Sequence, residues 1–570
     1  MSLSLKSGKV SVRMSRIWMV FLFFLVLYTA IVARLFYWQV WASGKLKDQA
    51  TTQHFFRFSL PPKRGTIFSS DGYPLIMNQQ AYLVYAEPKK IEDKDGFAKR
   101  VSDILAVDPA SISAQLDLPD RVWVPIQRKV DGEKADQLKN LKEKGLGFES
   151  EPKRYYPEAS MAAHMLGFVG LDQNGQDRGY FGLEGFYDRE LKGKEGSLQI
   201  EKDVQGNPIL IGSTFRIDPQ DGRNLVLWTD RSVQAIVEKR LKEGIEKYGA
   251  KEGSIIVMDP KTGGILAMAS FPSYDPRFYT DAEKERYINP IVGSTYEPGS
   301  TFKVLIVASG IENKVITPAT TMEENGPVEV MGYLIRTWNN KYNGLVTMTD
   351  VLIHSSNVGM VFVSNRLGKE KIVKTLSDFG FGAVTNVDLE DESAPELRED
   401  KEWREIDLAT VSFGQGIAVT PLQMVRAVSV IANGGYLMEP KVVKAIKDAN
   451  GKMTEVKPKK IRQVISKKTA EEVTEMMVAA VDQGEAKFAK PPGYRIAGKT
   501  GTAQIAVEGY YDEKKTIASF VGFAPSDNPK FAMLVTLREP SSSQWGSETA
   551  APLFFNIAKD LFLYYGIAPR

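Results

Sequence analysis

The chain of 570 residues has no cysteine. That excludes disulfides, thiol nucleophiles, cysteine-ligated zinc and iron–sulfur clusters. Histidine is nearly as scarce: His54, His164 and His354 are the three. No HExxH pair occurs, so a zinc peptidase has no ligands, and a Ser-His-Asp triad would have to recruit one of these three. An excess of charge is missing as well. The 73 basic and 70 acidic side chains leave a formal net charge of +3, which gives no reason to expect nucleic acid as a partner. Glycine (47) and proline (29) stay near ordinary levels, so collagen-like and low-complexity chains are out. The length exceeds one ordinary core, and two or three folded units are expected.

Long apolar runs are also rare. Ile17 to Ala33 is uncharged, Arg34 interrupts it, and the apolar character resumes to Trp41. A spanning helix needs about 20 residues, and Arg34 can snorkel to the headgroups. Trp18, Tyr37, Trp38 and Trp41 suit a membrane interface. Lys6, Lys9, Arg13 and Arg16 precede the run, with no acid among residues 1–16. The positive-inside rule then places 1–16 in the cytoplasm, 17–41 across the membrane and the rest outside. A cleaved signal peptide is the competing reading, but the run is longer than the usual 7–15-residue apolar region. No comparable second run occurs.

Residues 42–220 read as a mixed module. Thr66–Phe68 and Tyr82–Ala86 suggest strands and Lys134–Leu141 a helix, with dense turn signals between them. The cluster Asp218-Pro219-Gln220-Asp221-Gly222 marks a boundary, and 221–570 is more strongly patterned. Asn224–Trp228 is a strand candidate and Val233–Glu243 a helix. Ser254–Met258 and Gly264–Ser270 form one expected hairpin, Thr516–Phe523 and Lys530–Leu537 another, and Ala551–Tyr565 a closing helix. Strands at both ends with helices between suggest one antiparallel sheet built from distant segments, an α+β arrangement.

Three motifs could share a site. Glu297-Pro298-Gly299-Ser300-Thr301-Phe302-Lys303 opens a helix whose continuation is apolar nearly all round. Ser300 and Lys303 lie one turn apart on one face. A hydroxyl needs a base, and a lysine stripped of water favours its neutral form, which can serve as one. Alone, S-x-x-K is common by chance, and a capping serine with a solvated lysine would look alike. Ser355-Ser356-Asn357 comes after Thr347–Asp350, which resembles a capping box, inside an otherwise apolar run. Ser355 could relay a proton and Asn357 hold a substrate amide. A turn satisfied by its own backbone explains the same residues. The adjoining His354 is expected to be a satisfied core histidine. Gly498-Lys499-Thr500-Gly501-Thr502-Ala503 precedes the second hairpin and is expected to be a neighbouring strand. Two glycines there suit close approach of another backbone, such as a peptide added along the strand, although a bulged strand with an exposed lysine would also fit. Gly493 to Thr500 matches the Walker pattern too, but neither a buried strand before it nor a helix after it is expected.

In this order the three motifs resemble the penicillin-binding proteins. The chain resembles the class B members, closest to the septal cell-division transpeptidases. Arg64-Gly65, RYYP from Arg154, GLEGFYD from Gly182, GQGIAVTPLQM from Gly414 and AAPLFFNIA near the C-terminus carry the likeness. Ser69-Ser70 departs from the Asp-Arg often found there, which puts a structural salt bridge in doubt. The resemblance implies a mixed α/β pedestal of the dimerisation type at 42–220. It implies a transpeptidase domain at 221–570 with a five-stranded antiparallel sheet, helices on both sides and a helical subdomain. It implies that Ser300 forms an acyl-enzyme with D-Ala-D-Ala stem peptides, with Lys303 as base and Ser355, Asn357 and Lys499 as further catalytic groups. Thr500, Gly501 and Thr502 would bind substrate, with no metal or cofactor. Implied partners are lipid II-derived peptidoglycan strands, β-lactams as covalent inhibitors, a multi-span membrane glycosyltransferase and other divisome proteins, at a bacterial cytoplasmic membrane. An elongation-type transpeptidase and a non-catalytic penicillin-binding sensor or scaffold remain as alternatives. A class A-like β-lactamase would need a deacylating glutamate in an ExxLN-type segment, which is missing after Asn357.

Overall fold

A computed structural model describes residues 14–47, 55–119, 121–201, 214–507 and 510–570. Most of the expected cytoplasmic tail, with Lys6, Lys9 and Arg13, lies outside the described residues, as does His54. Two compact units form, Met1–Pro62 with Lys194–Gln220, and Lys63–Gly193 with Asp221–Arg570.

The first unit contains helix α1 (Met14–Phe36), which continues as a π-helical turn over Tyr37–Trp41. Arg16–Trp41 is long and apolar enough to cross a membrane, and none of its apolar window is buried against protein. The Arg34 guanidinium lies 5.2 Å from the Trp38 ring centre, so the interrupting charge rests on an aromatic face. The same unit holds a three-stranded antiparallel sheet of Phe55–Leu60, Gly196–Glu201 and Thr214–Ile217.

The second unit has two sheets that matter here. One has seven strands. Its longest, Pro74–Ala86, pairs with Val124–Asp131 and Leu146–Tyr155. Asn224–Leu227 joins this sheet, parallel to Ile67–Phe68 and antiparallel to Val443–Lys447. The family-like segments Arg64-Gly65, RYYP and GLEGF meet beside it. Arg64 Nε donates to Glu184 Oε2 at 2.6 Å, and Arg154 Nε donates to Glu184 Oε1 at 2.7 Å. Burial alone would lift the Glu184 carboxyl, but Arg154 and Arg64 outweigh it and hold it below the usual range. Arg64 also pairs with Asp188 at 2.7 Å. At Ser69-Ser70 the turn is closed without an ion pair: Ser69 N–H donates to the Tyr73 carbonyl at 2.9 Å, and the Ser69 hydroxyl donates to the Asp71 carboxylate.

The other sheet is the expected five-stranded one. Its strands are β1 (Glu252–Met258), β2 (Ile265–Phe271), β3 (Ala497–Val507), β4 (Tyr510–Ala524) and β5 (Phe531–Arg538). The order is β2-β1-β5-β4-β3, antiparallel throughout. The near-continuous apolar runs of β1 and β5 reflect burial on both faces. Ile255 and Val257, with Met533 and Val535, pack against α2 (Arg231–Tyr248) and the C-terminal helix Ala550–Tyr564. Ile256, Met258, Ala532 and Leu534 point into the opposite core. That core holds α3 (Lys303–Glu312), α4 (Asn357–Leu367), α5 (Pro421–Ala432) and α6 (Lys467–Gln483). The helices between the hairpins thus cover one sheet face, and β3 is left as an edge strand.

Replacing Glu184 by Gln leaves Arg154 buried without its charge partner and Arg64 with Asp188 alone. We expect a loss of about 3–5 kcal/mol in stability, read from the denaturant midpoint.

Candidate active site

Pro298 and Gly299 turn the chain into a 3₁₀ turn, Gly299–Phe302, and α3 begins only at Lys303. Ser300 therefore sits on the tight turn ahead of the helix rather than within its first α turn. Close packing fixes this turn. Gly299 N–H donates to the Gly414 carbonyl at 3.0 Å, and a Cβ on Gly414 would fall 2.2 Å from the Gly299 oxygen. Gly414 also has φ +81°, so glycine is required there twice over. Upstream, Glu297 accepts from Gly416 N–H at 3.0 Å and from the Tyr511 hydroxyl at 3.1 Å. Burial pushes the Glu297 carboxyl up.

Lys303 is 0% exposed. Its Nζ donates to the Ser355 carbonyl at 2.5 Å and to Asn357 Oδ1 at 2.8 Å, and the Ser355 hydroxyl lies 3.3 Å from it. Burial holds its pKa well below the ordinary lysine value, and repulsion from Lys499 lowers it further, against the pull of Glu324 and Glu485. The uncharged amine is the form this pocket favours.

The capping box at Thr347 and Asp350 is present and starts a short helix, Met348–Ile353. The chain then breaks at Ser355, whose φ is +56°, and restarts as α4 with Ser356 as N-cap. A non-glycine residue in the left-handed region costs energy and persists only where its surroundings hold it. Here the break turns Ser355 and Asn357 towards Lys303 while Asn357 Nδ2 donates to the Arg336 carbonyl at 3.0 Å. The turn read from the sequence is present, and it brings Ser355 and Asn357 to Lys303. His354 corrects the expectation for it: the helix ends one residue earlier, and the side chain is exposed rather than in the core. His164 is the buried histidine, and burial drives it down to about 4. It donates to the Arg286 carbonyl at 3.0 Å.

Gly498–Ala503 lies in edge strand β3 as expected. The strand runs on to Val507 and β4 comes next rather than a helix, so the Walker match has no P-loop geometry. A Cβ on Gly501 would meet Ser519 Oγ at 2.5 Å and Thr301 Cγ2 at 2.8 Å, so glycine lets the strand close on the catalytic turn. Thr502 Oγ1 accepts from Gly546 N–H at 3.0 Å. Lys499 is buried beside Ser355, and burial lowers its pKa to about 8 although Glu485 opposes the shift. Glu485 is exposed by area, yet its crowded surroundings raise its carboxyl pKa.

Ser300, Asn357 and Thr502 line one cleft of about 200 Å³, walled by Trp338 and Trp545. The two indoles meet edge to face at 4.9 Å. Sequence reasoning missed both tryptophans, Glu297, Tyr511, Glu485 and Glu324. Glu297 stands at the head of the first motif, but its spacing gave it no role, and the others belong to no motif with a fixed spacing. No histidine lines this cleft, and among the described residues no group of three or more His, Asp or Glu is placed to hold a metal.

The penicillin-binding protein transpeptidase domain matches residues 253–559, and the penicillin-binding protein dimerisation domain matches 59–227. Stage V sporulation protein D of Bacillus subtilis is 35% identical over 573 residues, covering 99% of this chain and 88% of its own. Peptidoglycan D,D-transpeptidase FtsI of Escherichia coli is 32% identical over 515 residues, covering 89% and 84%. Penicillin-binding protein 3 of Mycobacterium tuberculosis, complexed with aztreonam, superposes with a TM-score of 0.70 at 28% identity, over 90% of this chain and 98% of its own.

Gly414→Ala should leave a folded protein whose Ser300 turn is displaced. We expect benzylpenicillin acylation to slow by about 100-fold, since displacements near 1 Å carry that cost. Stopped-flow acylation beside a thermal melt checks it.

Proposed function

The chain belongs to the class B penicillin-binding proteins and is a serine-type peptidoglycan D,D-transpeptidase, and on that premise we propose how its residues divide the chemistry. Ser300 attacks the penultimate D-Ala carbonyl of a stem peptide. Lys303, neutral in the resting site, takes the hydroxyl proton. Backbone N–H groups of Ser300 and Thr502 stabilise the oxyanion. Ser355 passes a proton to the departing D-Ala. An amine from a neighbouring stem then attacks the ester, the C–N bond forms, and Ser300 regains its proton. Asn357 holds the peptide amide. The strand from Lys499 through Thr500, Gly501 and Thr502 takes the peptide as an added strand and binds its carboxylate.

One observation supports this division most: buried Lys303 spends its hydrogen bonds on Ser355 and Asn357, joining two motifs more than 50 residues apart in sequence. A sensor or scaffold with an inert site would not need that buried amine. β-Lactams, which mimic D-Ala-D-Ala, acylate Ser300. Residues 17–41 anchor the chain in the cytoplasmic membrane with 1–16 inside, 42–220 form a pedestal, and 221–570 work outside. A multi-span glycosyltransferase supplies the glycan strands, and the setting is the division septum. The relative named for stage V of sporulation supports a second setting, in spore formation. A fluorescent fusion at mid-cell in vegetative cells supports the first; a signal confined to sporulating cells supports the second.

The reaction is tested with uncross-linked strands carrying D-Ala-D-Ala stems. The expected products are cross-linked dimers with one D-Ala released per link. Release without dimers would point instead to a carboxypeptidase. The pH profile of benzylpenicillin acylation should be bell-shaped. Activity falls at low pH as Lys303 gains a proton, and falls above about 8 as Lys499 loses its charge. A flat profile from pH 6 to 10 would contradict these roles.

A further inference from the structure

Behind the Ser355–Asn357 turn lies a carboxylate with no part in the acylation chemistry. Glu324 ends the short strand Thr321–Glu324 and is 0% exposed. Its Oε2 accepts from Asn343 N–H at 3.2 Å and from Asn343 Nδ2 at 2.9 Å. Its Oε1 accepts from the Ser356 hydroxyl. Ser356 Oγ in turn accepts from Gly359 N–H at 2.8 Å, which leaves its own proton for Glu324. Three hydrogen bonds thus converge on the Glu324 carboxyl. A buried carboxylate needs such compensation.

Lys303 lies close enough to feel that carboxylate. The charged neighbours facing it are Lys499 from β3, Glu485 from the segment after α6, and Glu324 from its strand. Ser356 lies between Ser355 and Asn357, the two side chains that Lys303 engages. One carboxylate therefore grips the middle of the turn and acts electrostatically on the amine that the turn surrounds. The left-handed φ of Ser355 needs such a grip, because relaxation of the turn would withdraw both partners from Lys303.

We propose that Glu324 is a positioning residue for the proton-transfer pair: its buried carboxylate anchors the Ser355–Asn357 turn through Ser356 and supplies the negative charge that Lys303 faces. This rests on the assignment of Lys303 as base and gives that base two supports, one geometric and one electrostatic. Glu324 touches neither substrate nor the reacting atoms. The two supports separate under mutation. Glu324→Gln keeps the shape and removes the charge, so Lys303 gives up its proton more readily. Ser356→Ala keeps the charge and cuts the grip.

The experiment is the pH dependence of benzylpenicillin acylation by the full chain, with Ser300→Ala as control and a thermal melt for each variant. For Glu324→Gln we expect the acid limb to move to lower pH by about half a unit or more. For each half unit the plateau should fall by no more than about threefold, because the base is weaker. For Ser356→Ala we expect a plateau lower by about tenfold with the limb unmoved. An unmoved limb in a folded Glu324→Gln protein overturns the electrostatic half. A wild-type rate in Ser356→Ala overturns the anchoring half, and that variant carries the test if Glu324→Gln does not fold. Absence of an adduct on the wild-type protein would instead overturn the underlying assignment of Ser300 and Lys303.

Discussion

An amine with no exposed surface, Lys303 Nζ, sits where two helices and an edge strand converge, and the rest of the site is arranged around the cost of putting it there. Burying an ammonium ion costs several kcal/mol unless it is fully paired. The neighbours of Lys303 are carbonyl, hydroxyl and amide oxygens, and the nearby Lys499 adds repulsion. The cheaper state is the neutral amine, which is the state a serine needs beside it. The apolar surface of α3 excludes water from Lys303. The broken helix at Ser355 supplies its partners, and Lys499 keeps a second positive charge close without pairing with it.

The sheet turns that chemistry into peptide chemistry. Its central strands are apolar on both faces and hold α2 and the C-terminal helix on one side and α3 to α6 on the other. Only β3 has a free edge beside the cleft, and an edge strand is the element to which another extended chain can add. Gly414 brings backbone against backbone, and Gly501 packs against the Ser519 and Thr301 side chains, where any side chain of their own would hold the parts apart. The catalytic turn, the broken helix and the edge strand thus come from three distant stretches and share one floor.

Much of this was legible in the sequence because each motif is a run of contiguous residues. Ser300 and Lys303, Ser355 to Asn357, and Lys499 to Thr502 bring their own spacing with them, and the apolar patterns of β1, β2, β4 and β5 carry their period. What escaped depends on tertiary packing. His354 reads as core because its neighbours are apolar, yet the helix ends just before it and turns it outward. Asn224–Leu227 reads correctly as a strand, but nothing local says that it joins Ile67 and Val443 rather than the five-stranded sheet. The 3₁₀ geometry at Ser300 depends on Gly414, more than 100 residues away. Glu324 is one glutamate among many until Ser356 and Asn343 are seen to close on it. Arg64, Arg154 and Glu184 were recognisable by resemblance alone, and their ion cluster gives that resemblance its physical reason.

The central claim is that Lys303 is uncharged in the resting protein at neutral pH. Lysine labelled with ¹³C at Cε, with the Lys303 signal assigned by its loss in Lys303→Arg, reports this directly through its chemical shift from pH 5 to 11. The account predicts a signal in the neutral-amine range at pH 7 that titrates well below the other lysines. A Lys303 signal that stays in the ammonium range up to pH 10 would contradict it.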